Sequence, residues 1–302
     1  MKTLRFKAIT SAALAVLMVG CVSTQPHSAT TTSQPIALQF AAQINGQAFE
    51  CGKSYSNIGM TKSTITPSDF RFYVSNVSVI NAKGESIPVK LAQDGVWQLE
   101  DIALLDFENG KGPCRNGTAA TNAAIRGSVP VGDYRGVKFE IGVPFNRNHG
   151  DSTVAPAPLN STALFWTWQG GYKFIKFDAA SSGRNAPNAP ADTNGGGNAS
   201  GFSVHLGSTV CAAPSRTSAP SACQNSNRIM INFDKFDLAN GVIVADMGTV
   251  LAKANVDVNA TGTSPGCMSF LKDADCPPVM GALGLPYDGL PVQGAQQFLT
   301  AR

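Results

Sequence analysis

The chain reads as an all-β protein, an antiparallel β-sandwich or barrel with long loops and disulfides. Short runs alternate apolar and polar residues, turn residues separate them, and no apolar stripe of helical length is present. In the first run, Ile36, Leu38, Phe40, Ala42 and Ile44 alternate ahead of the turn Asn45-Gly46. Phe70, Phe72 and Val74 follow, and the phase then shifts at Asn76 before Val77 and Val79, as a β-bulge would produce. Val137, Phe139, Ile141 and Val143 form the next run, stopped by Pro144. Tyr172, Phe174 and Lys176 share one face of another, with Lys173, Ile175 and Phe177 on the opposite face. Phe202, Val204 and Leu206 alternate with Ser203, His205 and Gly207, before Ile229, Ile231 and Phe233 and the run 242–247.

Between these runs lie two irregular stretches. Residues 179–200 hold almost no large apolar side chain and are expected to form a long loop. From Thr261 onward the chain is rich in Gly and Pro and is expected to be irregular. The segment around Trp166 is ambiguous. Asn160 can cap a short helix that Gly170-Gly171 would stop, and with both signals present a helix is favoured there over a strand.

The start of the chain reads as an export signal, residues 1–20. Lys2, Arg5 and Lys7 precede an apolar run, 8–19, that is short for a bilayer span. Met18-Val19-Gly20-Cys21 resembles a bacterial lipobox, which makes Cys21 the expected lipidated residue; ordinary secretory cleavage is the alternative. Residues 21–35, rich in Ser, Thr, Gln and Pro, are then a flexible tether, and His27 within it is discounted as a ligand. Residues 36–302 are expected to form a single β-rich domain in the periplasm or at the outer membrane. The net charge of +3 and the lack of a basic run argue against a nucleic-acid partner.

Six cysteines remain after Cys21, an even number suited to disulfides in an exported chain. Proximity favours Cys211–Cys223 and Cys267–Cys276, leaving Cys51 with Cys114, although fifteen pairings exist for six cysteines. With no CxxC or CxC spacing, a thiolate metal site is the weaker reading.

The candidate site lies in two segments, Asn148–Asp178 and Phe202–Cys211. His149 and His205 are the histidines of the folded region, and imidazole suits Cu, Zn, Fe or Ni. Both are placed away from the core, so solvated histidines are the bland alternative. A third zinc ligand at helical spacing is missing, which weakens zinc catalysis. No GxSxG elbow accompanies Ser208, and nothing fixes the separation of Glu140, Asp151 and Asp178 that glycoside hydrolysis requires. Trp166, Trp168 and Tyr172 can instead form a carbohydrate-stacking platform or ordinary core.

The ordered motifs Asn148-His149-x-Asp151, Pro158-Leu159-Asn160, Phe165-Trp166-x-Trp168-Gln169 and Gly171-Tyr172-Lys173-Phe174 continue into His205-Leu206-Gly207-Ser208-Thr209-x-Cys211. Asp69–Val77, Ala103–Phe107, Gly266–Ser269 and Asp275-Cys276 belong with them. Together they resemble the metallo-mystery pair four-Cys family, the MbnP-like copper proteins, over about residues 36–285. The resemblance implies an exported β-rich protein that is not itself an enzyme. A dihaem cytochrome c peroxidase-like partner would oxidise a tryptophan to kynurenine, whose amine joins histidine in holding copper as Cu(I). Carried onto this chain, it makes His149 and His205 ligand candidates and Trp166 and Trp168 the candidates for oxidation. Asp151, and less so Asp178, would hold a histidine N–H from behind. The extra cysteine pair departs from the family's four. The alternative to this function is an envelope lipoprotein without metal that binds glycan or protein through its aromatic segment.

Overall fold

The computed structural model describes Met1, residues 32–183 and residues 201–302. The export signal, Cys21, His27, most of the tether and residues 184–200 of the expected loop lie outside these. Residues 32–302 make one all-β unit in which two sheets pack face to face. The first sheet has the order Leu299–Ala301, Val242–Asp246, Ser33–Ile44, Ala124–Pro130, Lys90–Leu91. The second runs Ile229–Phe233, Tyr134–Ile141, Ser63–Asn81, Ile175–Ser181, Gly201–Leu206, Gly266–Cys267, with Ile102–Asp106 also on the long Ser63–Asn81 strand. Most pairings are antiparallel. Two are parallel, Ser33–Ile44 with Val242–Asp246 and Gly201–Leu206 with Gly266–Cys267.

Alternation explains the core. Phe40 from the first sheet meets Phe72 and Phe139 from the second edge-on, with ring centroids 6.1 and 5.9 Å apart. Phe70 and Phe72 also pack on Phe298, whose neighbour Leu299 begins the closing strand. The phase shift at Asn76 is a bulge. Its φ is +55°, and the pairing with Tyr134–Ile141 slips between Lys138 and Glu140.

Several boundaries differ from the sequence expectation. The first strand starts at Ser33, inside the expected tether, because Ser33–Pro35 pair with Ser128–Pro130. Ala179–Ser181 are strand, held between the Ile65–Pro67 segment and Gly201-Phe202. The stretch after Thr261 holds a helix, Cys276–Ala282, and the last strand. No described helix is long and apolar enough to cross a membrane.

The disulfides are Cys51–Cys114, Cys211–Cys223 and Cys267–Cys276, the pairing that proximity favours. Cys211 and Cys223 face each other across a separate two-stranded sheet, Thr209–Ala212 with Ala222–Asn225. That small sheet projects from the end of the strand that carries His205.

Candidate metal centre

His205 sits in the strand Gly201–Leu206, with Val204 and Leu206 pointing into the core and His205 on the outer face. Strand register places it in a rung of charged groups. Asp106, Arg71, Lys176 and His205 lie level across four adjacent strands, and Asp69, Asp178 and Ser203 form the rung below. Opposite charges therefore meet diagonally. Arg71 Nε donates to Asp69 Oδ1 at 2.8 Å, and the Lys176 ammonium bridges Asp69 and Asp178. Ser203 Oγ and His205 Nε2 both donate to Asp178 Oδ1, at 2.6 and 2.8 Å.

This outer face is not solvated. Asp69 is fully buried, Arg71 is 2% exposed, Lys176 4% and His205 7%. Glu108 and Gly117 lie over Arg71, while Ser269 donates to the His205 carbonyl at 2.9 Å. Burial shapes the protonation states. It raises the Asp106 carboxyl to about 7, against the pull of Arg71. Burial also acts to raise Asp178, but the His205 N–H and the Lys176 ammonium outweigh it and hold that carboxyl well below the usual range. His205 moves down because desolvation of its cation outweighs the Asp178 carboxylate. A neutral imidazole that donates from Nε2 leaves Nδ1 with a lone pair. Among the described residues that buried Nδ1 has no hydrogen-bond partner.

His149 is built differently. It follows the one-turn helix Phe145–Asn148 and is 6% exposed, packed on the Phe145 ring at 5.0 Å. Its Nδ1 lies 2.9 Å from the Trp168 carbonyl oxygen, so that nitrogen carries the proton. Asn148 Oδ1 accepts the Tyr172 N–H at 2.9 Å, which fixes the amide orientation and turns its Nδ2 toward His149 Nε2, 3.1 Å away. Nε2 is thus an acceptor with its lone pair inward, 3.5 Å from Cys223 Sγ. Burial lowers the affinity of this imidazole for a second proton, with the Trp168 carbonyl opposing.

The Trp segment is neither the favoured helix nor a regular strand. A 3-10 turn, Thr162–Leu164, ends at Phe165, which bridges to Tyr172 in antiparallel fashion. The Trp166 N–H donates to the Gly171 carbonyl at 3.0 Å and the Gly171 N–H to Thr167 at 2.7 Å, closing a tight turn. Gly171 has the positive φ of a stop signal, +73°, but it closes this turn and does not cap a helix. Its missing β-carbon also makes room for the Asn148 carbonyl. The Trp166 ring lies over Gly207 and against Phe270 at 5.4 Å, beside the strand of His205. Trp168 is 37% exposed.

Asp151 does not meet a histidine. Its Oδ1 accepts from Thr153 N at 2.9 Å and Thr153 Oγ1 at 2.7 Å, a local turn. Asp178 is the carboxylate behind a histidine, and the backbone carbonyl of Trp168 takes that place for His149. Among the described residues no hydrogen bond joins the two histidines. Sequence reasoning missed Asp69, Arg71, Lys176 and Asp106. The signal was there, in charged residues alternating with aromatics in Asp69-Phe70-Arg71-Phe72 and Lys176-Phe177-Asp178. It also missed that Cys211–Cys223 lies against His149.

Each imidazole taken singly has donor chemistry that suits Cu, Zn, Fe or Ni. Each histidine is buried and neutral, with one nitrogen committed to an oxygen acceptor and the other carrying a lone pair, the arrangement typical of ligating imidazoles. No curated protein sequence matches this chain. The family model described as MbnP matches residues 33–269. The solved structure of MbnP from Methylosinus trichosporium is 30% identical and superposes with a TM-score of 0.76, covering 89% of this chain and 98% of that one. The chain belongs to the MbnP family.

Proposed function

We propose that this protein is an exported, lipid-anchored copper-binding protein of the bacterial envelope and not itself an enzyme. His149 Nε2 and His205 Nδ1 are the imidazole donors, and an oxidised tryptophan completes the set. The observation that carries the proposal is the partnerless, buried Nδ1 of His205 behind an Asp178-anchored Nε2. Such a nitrogen costs free energy unless something binds it. Cu(I), the proposed cargo, accepts few ligands and suits imidazole.

Two donors alone make a weak site. An indole N–H cannot ligate, because its nitrogen has no available lone pair. Oxidative ring opening to kynurenine consumes three waters, gives up four electrons and four protons, releases the indole C2 carbon as formic acid, and exposes an aromatic amine. A dihaem cytochrome c peroxidase-like partner would carry the electrons away. Trp166 is the favoured residue, because its ring lies over Gly207 on the face that also bears His205. Trp168, more exposed and tied to His149 through its backbone, is the alternative target.

Copper retention and peptide mass spectrometry test this together. Protein from its native envelope should yield the tryptic peptide Asn148–Lys173 with the kynurenine mass on Trp166. It should carry one Cu(I) per chain, lost in His149→Ala and in His205→Ala. Unchanged copper stoichiometry in both variants would overturn the ligand assignment. Unmodified tryptophan in native, copper-loaded protein would overturn the kynurenine part.

A further inference from the structure

We infer that the Cys211–Cys223 disulfide conceals a second metal site, a two-thiolate, one-imidazole site with His149 that takes Cu(I) when the disulfide is reduced. His149 Nε2 and the two sulfurs lie within 4.8 Å of one another. The imidazole is already oriented for this use. Its Nδ1–H is locked on the Trp168 carbonyl, and its Nε2 accepts from Asn148 Nδ2 at 3.1 Å with Cys223 Sγ 3.5 Å away, so an entering ion displaces one amide N–H. While the disulfide stands, neither sulfur is a thiolate, so the group cannot ligate in that form.

Position makes this disulfide the one that a reductant reaches. Cys211 and Cys223 are half-buried and sit on a two-stranded sheet outside the sandwich. Each of the other two disulfides has a sulfur-bearing residue sealed in the core, Cys114 at 0% exposure in one and Cys276 at 0% in the other. Thiol–disulfide exchange needs in-line access to a sulfur. A dithiol reductant supplies the electrons. It gives two electrons and two protons to the Cys211–Cys223 bond, which breaks into two thiols while the dithiol closes to a disulfide. Copper entry forms two Cu–S bonds and one Cu–N bond and releases the two thiol protons to solvent, with Cu(I) unchanged in oxidation state. Metal–sulfur bonds of about 2.3 Å spread the sulfurs beyond their bonded distance. The small sheet is tied to the Trp turn through backbone carbonyls, Gln169 Nε2 donating to Cys211 at 3.1 Å and the Gln169 N–H to Arg216 at 3.2 Å, and neither bond uses a sulfur.

The site uses neither His205 nor a modified tryptophan, and it shares only His149 with the copper site proposed above. Thiolates bind Cu(I) more strongly than imidazole does, so reduction would draw His149 and its ion toward the sulfurs. The redox state of one half-buried disulfide then decides which donor set holds the ion.

The experiment uses the metal-free full chain with Trp166 and Trp168 unmodified. It is treated anaerobically with limiting dithiothreitol, and part is alkylated and mapped by mass spectrometry. Cu(I) is then titrated against a chromophoric Cu(I) chelator. Cys211 and Cys223 should be alkylated before the other cysteines, and the reduced chain should hold one more Cu(I) than the oxidised chain. Bound copper should protect both cysteines from alkylation. The gain should vanish in the Cys211→Ser, Cys223→Ser double variant, persist in His205→Ala, and weaken about 10-fold or more in His149→Ala or His149→Gln. No gain in a chain whose Cys211 and Cys223 are shown to be reduced overturns the inference. So does a gain that survives the double variant, one indifferent to both His149 variants, or earlier reduction of either other disulfide. Copper held by the oxidised, tryptophan-modified protein reports on the other site, so the two proposals can fail separately.

Discussion

His149 and His205 reach the same protonation state, a buried neutral imidazole with one unprotonated nitrogen, by opposite routes. His205 is positioned by a sheet. Strand register lines up Arg71, Lys176 and His205, and the acidic rung beside them supplies the oxygen that holds its Nε2. His149 is positioned by loops, through the backbone carbonyl of Trp168 and an Asn148 amide that Tyr172 fixes. One imidazole therefore depends on charge and the other on backbone shape. The two regions should break under different substitutions, and the size of each break measures the difference.

The largest effect is expected where charge is buried. Lys176→Met leaves Asp69 and Asp178 close together, with only Arg71 to balance them. Breaking a buried pair by removing one partner costs about 3–5 kcal/mol. Urea unfolding of the variant should show a loss of that size, with the His205 ring signals displaced and those of His149 in place. A loss below about 1 kcal/mol would mean that the rung is wet and screened, as at a surface pair.

The loop route breaks at a glycine. Gly171→Ala puts a β-carbon into the Asn148 carbonyl and amide at a φ of +73°. Left-handed backbone costs an ordinary residue about 1–2 kcal/mol, and the overlap adds a similar amount, about 1–3 kcal/mol. Unfolding should show the sum, and the His149 ring should lose its Trp168 acceptor while the His205–Asp178 bond stays. Equal disturbance of both histidines would show that the two regions are one unit.

This contrast also explains what was legible in the sequence. The sandwich could be read because alternation such as Phe70-Arg71-Phe72 encodes which side faces the core, and the bulge at Asn76 because it breaks that alternation. Proximity in sequence favoured the disulfide pairing found without excluding the others. Alternation says only that Asp69, Arg71, Lys176 and His205 point away from the core; it does not say that Glu108, Gly117 and Ser269 cover them. The covering segments are distant in sequence, so the buried rung was invisible. At Trp166 the same start and stop residues serve a helix or a tight turn. The choice was made by Phe165 bridging Tyr172, which depends on where the next strand lies. Asp151 was chosen over Asp178 because it is close to His149 in sequence, whereas strand register brings Asp178 to His205.

The smallest effect is the most discriminating one. Asp178→Asn keeps an oxygen for Ser203 and His205 but removes the charge beside Lys176. Hydrogen bonds to charged groups contribute about 1.5–3 kcal/mol, and the retained oxygen and the Asp69 contact of Lys176 place this variant near the lower end. The pH dependence has a definite sign. The folded protein holds the Asp178 carboxyl below its unfolded value, so its stabilisation is present above about pH 4 and is lost as pH falls further. The stability gap between wild type and variant should therefore narrow as pH falls below about 4. Both histidines are also shifted down, so the unfolded chain takes up protons first and each one costs stability as pH falls below about 6.5. Removing the Asp178 charge should lower the His205 pKa further, because that charge favours the imidazolium, and should leave His149 unmoved. Imidazole NMR titration of metal-free wild type and variant reads both sites at once. A common shift of the two rings, or a stability gap that does not change with pH, would show that charge does not hold His205.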